Sequence, residues 1–297
     1  MLRFPTHQTD EIEFSMRRYN PNISNRSRIS KSIFSELSNR EDSEMFRPID
    51  AKADAFEKVY YLASMCLKFQ KYEDALRYVD EMVKLKDEEM KEDERNIFIS
   101  AYKFYISEKR AAWRTIYTQE IKEQNTKLMI NEIKSAYEEI IIKSCERLIN
   151  LINNYIINKT RSDIGLALLL RVKADHYRYM AEITNSQTLF NNKQNAFNFY
   201  KQAYELSAKL DDLDPIKLSI ALNYSVFLYE ILCKRINSIF YAKEALSKAL
   251  LKLKEFSEEE LLNENMKESL SIIEIMNQNV HQWYDEEIKR EKIENKQ

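Results

Sequence analysis

The sequence predicts an all-α protein, and three observations support that prediction. The chain of 297 residues contains one glycine and four prolines, whereas an ordinary chain has about 7% glycine and about 5% proline. Tight β-turns and bulges depend on glycine and asparagine, so all-β and α/β folds are nearly excluded. From about Asp54 onward, apolar residues recur with the helical period almost without a break.

The apolar period divides the chain into nine predicted helices joined by polar turns. They span residues 54–70, 73–87, 91–121, 128–158, 163–184, 189–209, 215–234, 237–256 and 259–286. The seventh has the clearest start, because Asp214 is a suitable N-cap and Pro215 follows it. Antiparallel helices stacked side by side form a curved wall with a concave face.

The two ends of the chain differ in composition from the helical body, which we place at residues 51–286. Residues 1–50 hold three of the four prolines, and the stretch from Met16 to Lys31 contains five cations and no acid. This composition predicts a mostly disordered, basic and serine-rich N-terminal extension. Residues 287–297 are charged and polar, which predicts a C-terminal tail that frays.

Composition and missing motifs argue against several classes of function. The net charge of −2 does not suit general nucleic-acid binding, which needs a broad basic surface. Three isolated cysteines indicate reduced thiols rather than disulfides or a metal site. We see no signal peptide and no apolar run of about 18 residues, so we expect no membrane span. A single glycine is incompatible with a P-loop, a dinucleotide fingerprint or a nucleophile elbow.

One predicted helix carries a row of cations on a single stripe. In ISAYKFYISEKRAAWRTI, residues 99–116, a helical wheel aligns Lys103, Arg110 and Arg114. No acid lies on this stripe, although helices commonly balance such a row with acids one turn away. The neighbouring stripe is mostly apolar and aromatic: Ile99, Tyr102, Ile106 and Trp113. The stripe therefore raises the question of which anion it binds.

In three further stretches, one face of the predicted helix combines charged or amide side chains with apolar or aromatic ones. In RVKADHYRYMAE, residues 171–182, Arg178 shares a face with Arg171 and Asp175, and Tyr179 adjoins it; His176 is expected to be a surface or packing residue. In LSIALNYSVFLYEIL, residues 218–232, one stripe contains Leu222, Asn223, Val226 and Glu230. In SLSIIEIMNQNVHQW, residues 269–283, one track contains Ile272, Ile275, Met276, Asn279 and Trp283. Each stretch taken alone is explained more simply by packing or by an intrahelical ion pair.

Together, these stretches resemble the 14-3-3 family over the chain from about Asp54 to Trp283. ERNIFISAYK with KRAAWR is similar to the family's third helix, and KADHYRYMAE to its fifth. DPIKLSIALNYSVFLYEIL is similar to the seventh helix and is the most specific signature, and NQNVHQW is similar to the end of the ninth. The resemblance implies a concave bundle of about nine antiparallel helices, and an adaptor that binds phosphoserine or phosphothreonine peptides in an amphipathic groove.

The resemblance also implies which residues bind the peptide. The phosphate is expected to contact Lys103, Arg110, Arg178 and Tyr179, and the peptide backbone to contact Asn223 and Asn279. The rest of the groove is expected to consist of Leu222, Val226, Glu230, Ile272, Ile275 and Trp283. The chemistry suits this role, because a phosphate carries about −1.5 to −2 charges and guanidinium groups bind it bidentately.

The resemblance implies a homodimer, or a heterodimer with other family members, in which the first two helices pair with the partner's third and fourth. Lys71 and Asp74 retain charges at this seam, but their expected mates are Ile140 and Ala136. These residues cannot form ion pairs. We therefore expect a more apolar seam, to which Met65 and Phe69 contribute.

Other classes of function remain open. A helical-repeat scaffold resembling tetratricopeptide arrays would bind unphosphorylated peptides, although no repeat of about 34 residues is present; an enzyme is the third class. The leading hypothesis is a non-enzymatic adaptor in signalling, with phosphorylated client proteins as partners and a cytoplasmic or also nuclear location. This hypothesis assigns the protein no cofactor and no metal, and neither nucleic acid nor membrane as a partner.

Overall fold

The computed structural model describes residues 51–118, 124–184, 186–257 and 264–294. Within these ranges the chain forms nine α-helices and no strand, so the all-α prediction is confirmed. The predicted N-terminal extension, residues 1–50, lies outside the described residues, as do the last three residues of the predicted tail. Among the described helices, none has the length and apolarity needed to cross a membrane.

The nine helices fall close to the predicted positions. They are α1 Ala51–Lys68, α2 Tyr72–Leu85, α3 Glu92–Tyr117, α4 Gln124–Leu151, α5 Asp163–Ile183, α6 Ser186–Ser207, α7 Pro215–Glu230, α8 Arg235–Leu253 and α9 Glu264–Glu294. The fourth predicted helix is not uniform, because α4 passes into a π-helical turn, Ile152–Ile156, and then a short 3₁₀ turn. The α7 start agrees with its prediction: the Asp214 side chain accepts from the N–H of Ile216 at 2.8 Å.

The scarcity of glycine has a visible consequence where α1 ends. Gln70 adopts a left-handed backbone conformation with φ of 57°. The N–H of Lys71 donates to the carbonyl of Cys66 at 2.8 Å, and the N–H of Gln70 to that of Leu67 at 3.1 Å. This is the Schellman arrangement, whose left-handed position is usually a glycine. The chain thus makes a standard helix stop with a residue that adopts this conformation less easily.

Residues 51–245 form one compact unit, in which α1 to α7 pack mainly against their neighbours in sequence. The most extensive contact joins α5 and α6, and α7 packs against both. An aromatic cluster connects these three helices, with the Tyr200 ring 5.1 Å from Phe227 and 6.0 Å from Tyr224 between centroids. The cluster fixes the helices that carry Arg178 and Asn223.

The described residues from Leu246 onward belong to a second compact unit, which contains α9. α9 continues to Glu294, eight residues past the predicted helix end at 286. Ion pairs one turn apart accompany this extension: Arg290 lies 2.8 Å from Glu287 and 3.8 Å from Glu286. Such pairs stabilise a helix by about 0.2–0.5 kcal/mol each. The prediction that this segment frays was based on its polar composition alone and did not include these ion pairs.

Candidate functional site

Three of the four residues expected to bind phosphate converge between α3 and α5. Arg110 lies on α3, and Arg178 and Tyr179 lie on α5. The Cζ atom of Arg110 is 3.9 Å from the centroid of the Tyr179 ring, and that of Arg178 is 4.7 Å from it. All three side chains are buried. Two guanidinium groups therefore share one phenol ring, as cation–π contacts allow.

Lys103 and Arg114 lie on the same helix as Arg110. Lys103, the fourth residue expected to bind phosphate, is two turns before Arg110 and is partly buried. Arg114 is one turn after Arg110, and its side chain is 22% exposed. Arg114 was part of the predicted cationic stripe but was not assigned to the site. Its contact with Glu182 on α5 places it in a group with Arg110 and Arg178, and we call these three residues the arginine cluster.

Glu182 on α5 is the acid that the cationic stripe lacks within its own helix. Its carboxylate accepts from Arg110 Nη2 at 2.7 Å, from Arg114 Nη2 at 3.3 Å and from Arg178 Nη1 at 3.3 Å. The expectation of an uncompensated row is thus corrected, because the balancing charge comes from a different helix. Glu182 was missed, although it lies four residues after Arg178, a spacing typical of an ion pair.

The pKa of Glu182 shows that this carboxylate stays ionised. Burial by itself would raise that pKa, but the charges of Arg110, Arg114 and Arg178 outweigh burial and lower it from its usual value. Opposite charges close to a carboxyl favour its ionised form. Three cations and one anion leave two positive charges in excess among these four side chains. This excess is suited to an anion with two negative charges.

Arg178 is held from its other side by α6. Its Nε donates to the hydroxyl of Tyr200 at 3.2 Å, and that hydroxyl donates to Asp175. Asp175 also accepts from Arg171 Nη1 at 3.1 Å, whereas its distance to Arg178 Nη2 is 3.8 Å. Asp175 is therefore paired mainly with Arg171. The network restrains the Arg178 guanidinium, which favours binding by preorganisation.

His176 is a packing residue rather than a surface one. It is buried, and its ring meets that of Tyr179 nearly edge-on, with 5.4 Å between centroids. Nδ1 lies 2.7 Å from the carbonyl oxygen of Val172, and Nε2 is buried without a hydrogen-bond partner. Burial lowers the pKa of His176 to about 4, so the imidazole is neutral at pH 7.

The predicted stripe on α7 lies in the same compact unit as the arginine cluster. Leu222, Asn223 and Val226 are buried, and Glu230 is partly buried at the helix end. The amide nitrogen of Asn223 donates to the carbonyl of Ser219, one turn earlier, at 2.8 Å. Asn223 is therefore satisfied in part by its own helix.

The residues assigned on α9 belong to the second unit. Ile272, Asn279 and Trp283 are buried and Ile275 is partly buried. The Asn279 amide nitrogen is buried without a hydrogen-bond partner, and such a group is costly unless a ligand or water satisfies it. Among the described residues, no group of three or more His, Cys, Asp or Glu is placed to hold a metal ion.

Comparison with known proteins identifies the family. A family model described as 14-3-3 protein matches residues 62–284. The chain belongs to the 14-3-3 family. It is 30% identical over 234 residues to 14-3-3-like protein B of Hordeum vulgare, and the alignment covers 76% of this chain and 87% of that protein. It is 29% identical over 232 residues to 14-3-3 protein 2 of Entamoeba histolytica, with 76% and 95% covered. All the assigned site residues fall inside the range matched by the family model.

Proposed function

We propose that this 14-3-3 family member is a non-enzymatic adaptor that binds phosphoserine or phosphothreonine peptides of client proteins and so regulates signalling. Family membership supports an adaptor role. The observation that supports phosphate recognition most is the convergence of Arg110, Arg114 and Arg178 on Glu182, with the first and last of them also against the Tyr179 ring. A phosphate offers about −1.5 to −2 charges and three acceptor oxygens, which match the excess charge and the donors of this cluster.

Under this proposal the remaining residues bind the peptide around its phosphate. Lys103 adds a point charge to the arginine cluster. The side-chain amides of Asn223 and Asn279 bind the peptide backbone, since an amide is both donor and acceptor and does not read side chains. The proposed groove residues beyond the phosphate are Leu222, Val226, Glu230, Ile272, Ile275 and Trp283.

We further propose a homodimer, with a heterodimer of family members as the alternative. Family membership suggests dimerisation. Large apolar side chains are exposed on the helices expected at the seam: Tyr61 and Leu62 on α1, Phe69 just after it, and Leu128, Met129, Ile133 and Ile140 on α4. Exposed apolar groups on two helices of one chain favour association through the hydrophobic effect.

The test of phosphate recognition compares two peptides. An R-S-A-pS-A-P peptide with blocked ends and a fluorescent label is titrated with the full chain, beside its dephosphorylated twin. We expect saturable binding of the phosphopeptide and much weaker binding of the twin. Equal affinities would overturn the proposal and favour a scaffold that binds unphosphorylated peptides.

Charge-conserving variants test the assignment of residues. Arg110→Lys and Arg178→Lys keep a positive charge beside the buried Glu182 carboxylate but remove the planar fork. Each variant should bind the phosphopeptide at least about tenfold more weakly, since a hydrogen bond to a charged group contributes about 1.5–3 kcal/mol. Arg77→Lys is the matched control, because the Arg77 side chain is 69% exposed. Variants that melt and bind like the wild type would show that the residues are wrongly assigned.

A further inference from the structure

Tyr200 on α6 is fully buried, and its hydroxyl lies between two charged side chains of α5. The hydroxyl accepts a hydrogen bond from Arg178 Nε at 3.2 Å and donates one to Asp175 Oδ1. Burial and the charge of Asp175 raise the pKa of Tyr200 well above its usual value, so the hydroxyl keeps its proton and remains a donor. A phenol from one helix thus bridges a carboxylate and a guanidinium of another.

Asp175 is the carboxylate that could compete with a phosphate for Arg178. The two residues are three positions apart on α5, a spacing at which opposite charges on a helix commonly pair. Asp175 Oδ1 nevertheless lies 3.8 Å from Arg178 Nη2, beyond hydrogen-bond distance. The same oxygen accepts from the Tyr200 hydroxyl, and Oδ2 accepts from Arg171 Nη1 at 3.1 Å. Both oxygens of Asp175 are therefore engaged by groups other than Arg178.

Loss of the hydroxyl would favour a direct pair between Asp175 and Arg178. The Nε of Arg178 and the Oδ1 of Asp175 would both lose a partner in a buried place, which is costly. Movement of one side chain would then bring Oδ1 from 3.8 Å to within hydrogen-bond distance of Nη2. A guanidinium that pairs with a carboxylate in this way has fewer N–H groups left for the bidentate contact that a phosphate prefers.

We propose that Tyr200 is a positioning residue for phosphate recognition, which keeps Asp175 from pairing with Arg178. Its ring packs against Phe227 on α7, with 5.1 Å between centroids, and this packing fixes where the hydroxyl lies. The hydroxyl occupies Asp175 Oδ1, and the Arg178 guanidinium stays available to the phosphate. The inference rests on the proposed function and deepens it, because it assigns a role to a residue that itself contacts no peptide.

The experiment removes the hydroxyl in two backgrounds. Titrations measure the affinity of the full chain for the R-S-A-pS-A-P peptide and for its dephosphorylated twin. The proteins are the wild type, Tyr200→Phe, Asp175→Asn and the double variant. Phenylalanine keeps the ring that packs against Phe227, and asparagine keeps the shape of the aspartate without its charge.

Tyr204→Phe is the matched control for the loss of a tyrosine hydroxyl. Tyr204 lies one turn after Tyr200 on α6 and packs against the same aromatic cluster. Its hydroxyl donates to a carboxylate outside the arginine network, that of Glu244, at 3.1 Å. Thermal melting confirms that each variant is folded at the temperature of the titrations.

The expected loss of affinity depends on the background. Tyr200→Phe should weaken phosphopeptide binding by about tenfold, since the phosphate would have to displace a charge-assisted hydrogen bond, and should leave binding of the twin unchanged. In the Asp175→Asn background the same change should alter the affinity by less than about twofold, because the competing carboxylate is gone. Tyr204→Phe should bind like the wild type.

Three results would contradict the inference, and they separate it from the proposed function. Selective phosphopeptide binding by the wild type with the same affinity in Tyr200→Phe overturns the inference and leaves the proposed function standing. A double variant that binds about tenfold more weakly than Asp175→Asn does the same, since the hydroxyl would then act without Asp175. Equal binding of the two peptides by the wild type overturns both.

Discussion

Replacement of His176 by phenylalanine should stabilise the protein, and most strongly in acid. His176 is 3% exposed, and its Nε2 has no hydrogen-bond partner. The contact of Nδ1 with the carbonyl oxygen of Val172 assigns the proton to Nδ1, so Nε2 is a buried acceptor that nothing satisfies. Phenylalanine keeps a ring that can meet Tyr179 edge-on and removes both nitrogens.

The expected increase in the free energy of unfolding of His176→Phe has one part that is constant and one part that depends on pH. An unsatisfied buried polar group costs about 1–3 kcal/mol at any pH. Burial also lowers the pKa of His176 from 6.5 to about 4. Since the unfolded chain then binds a proton more readily than the folded protein, stability falls as pH falls from 6.5 to 4 and is unchanged by this group above that window. At about 1.36 kcal/mol per pKa unit, the wild type loses about 3 kcal/mol that the variant keeps.

Urea denaturation of both proteins between pH 8 and pH 4 measures this effect as a difference, in which the other titrating groups largely cancel. The free energy of unfolding of His176→Phe minus that of the wild type should be constant above pH 7. It should grow by about 3 kcal/mol on the way to pH 4. His281→Gln, at an exposed histidine, controls for removal of an imidazole from the surface. A difference for His176→Phe that does not change with pH would refute the desolvation argument.

Two further predictions concern the start of α5 and the dimer. Gly165→Ala should destabilise the protein by about 1 kcal/mol in urea denaturation, because its Cβ would lie 2.6 Å from Ser162 Oγ, which caps α5. In a Ser162→Ala background the same change should destabilise less, since the 2.6 Å contact is gone and alanine favours helix over glycine, although Thr160 Cγ2 still lies 3.0 Å from the new Cβ. The homodimer should persist as salt rises in sedimentation experiments, because its proposed seam is apolar. Phe69→Ser should weaken it and Phe240→Ser should not, although both phenylalanines are 61% exposed; dissociation by salt would contradict the apolar seam.

The helices were predictable from the sequence because their signals are local. Apolar periodicity, the Asp214 cap and Pro215 all act within one or two turns, and α7 starts at the predicted residue. The errors occur where local signals are ambiguous. The apolar period does not reveal the π-helical turn at Ile152–Ile156, since its two buried residues are the first and the last, four apart, a spacing that an α-helix also places on one face. The end of α9 depends on ion pairs of Arg290, which composition alone does not weigh.

The site was predictable only in part, because its contacts join different helices. The stripe on α3 and the face on α5 were each visible in the sequence, and the structure brings Arg110 and Arg178 to the same ring of Tyr179. The role of Tyr200, which accepts from Arg178 and lies on α6, left no signal in the sequence. A tyrosine in an apolar pattern predicts packing, and only the fold shows that its hydroxyl meets a buried charge.

Glu182 changes the reason for expecting an anion at this site. A row of cations without acids on its own helix has two explanations, a ligand or an acid from a neighbouring helix, and a helical wheel cannot separate them. Here the neighbouring helix does supply an acid, and that acid contacts Arg110, Arg114 and Arg178 together. A fully balanced cluster would need no ligand. One carboxylate for three guanidinium groups leaves an excess of two charges, and bringing like charges together is unfavourable unless an anion relieves it. The argument for a phosphate therefore comes from this remaining excess and not from the stripe itself.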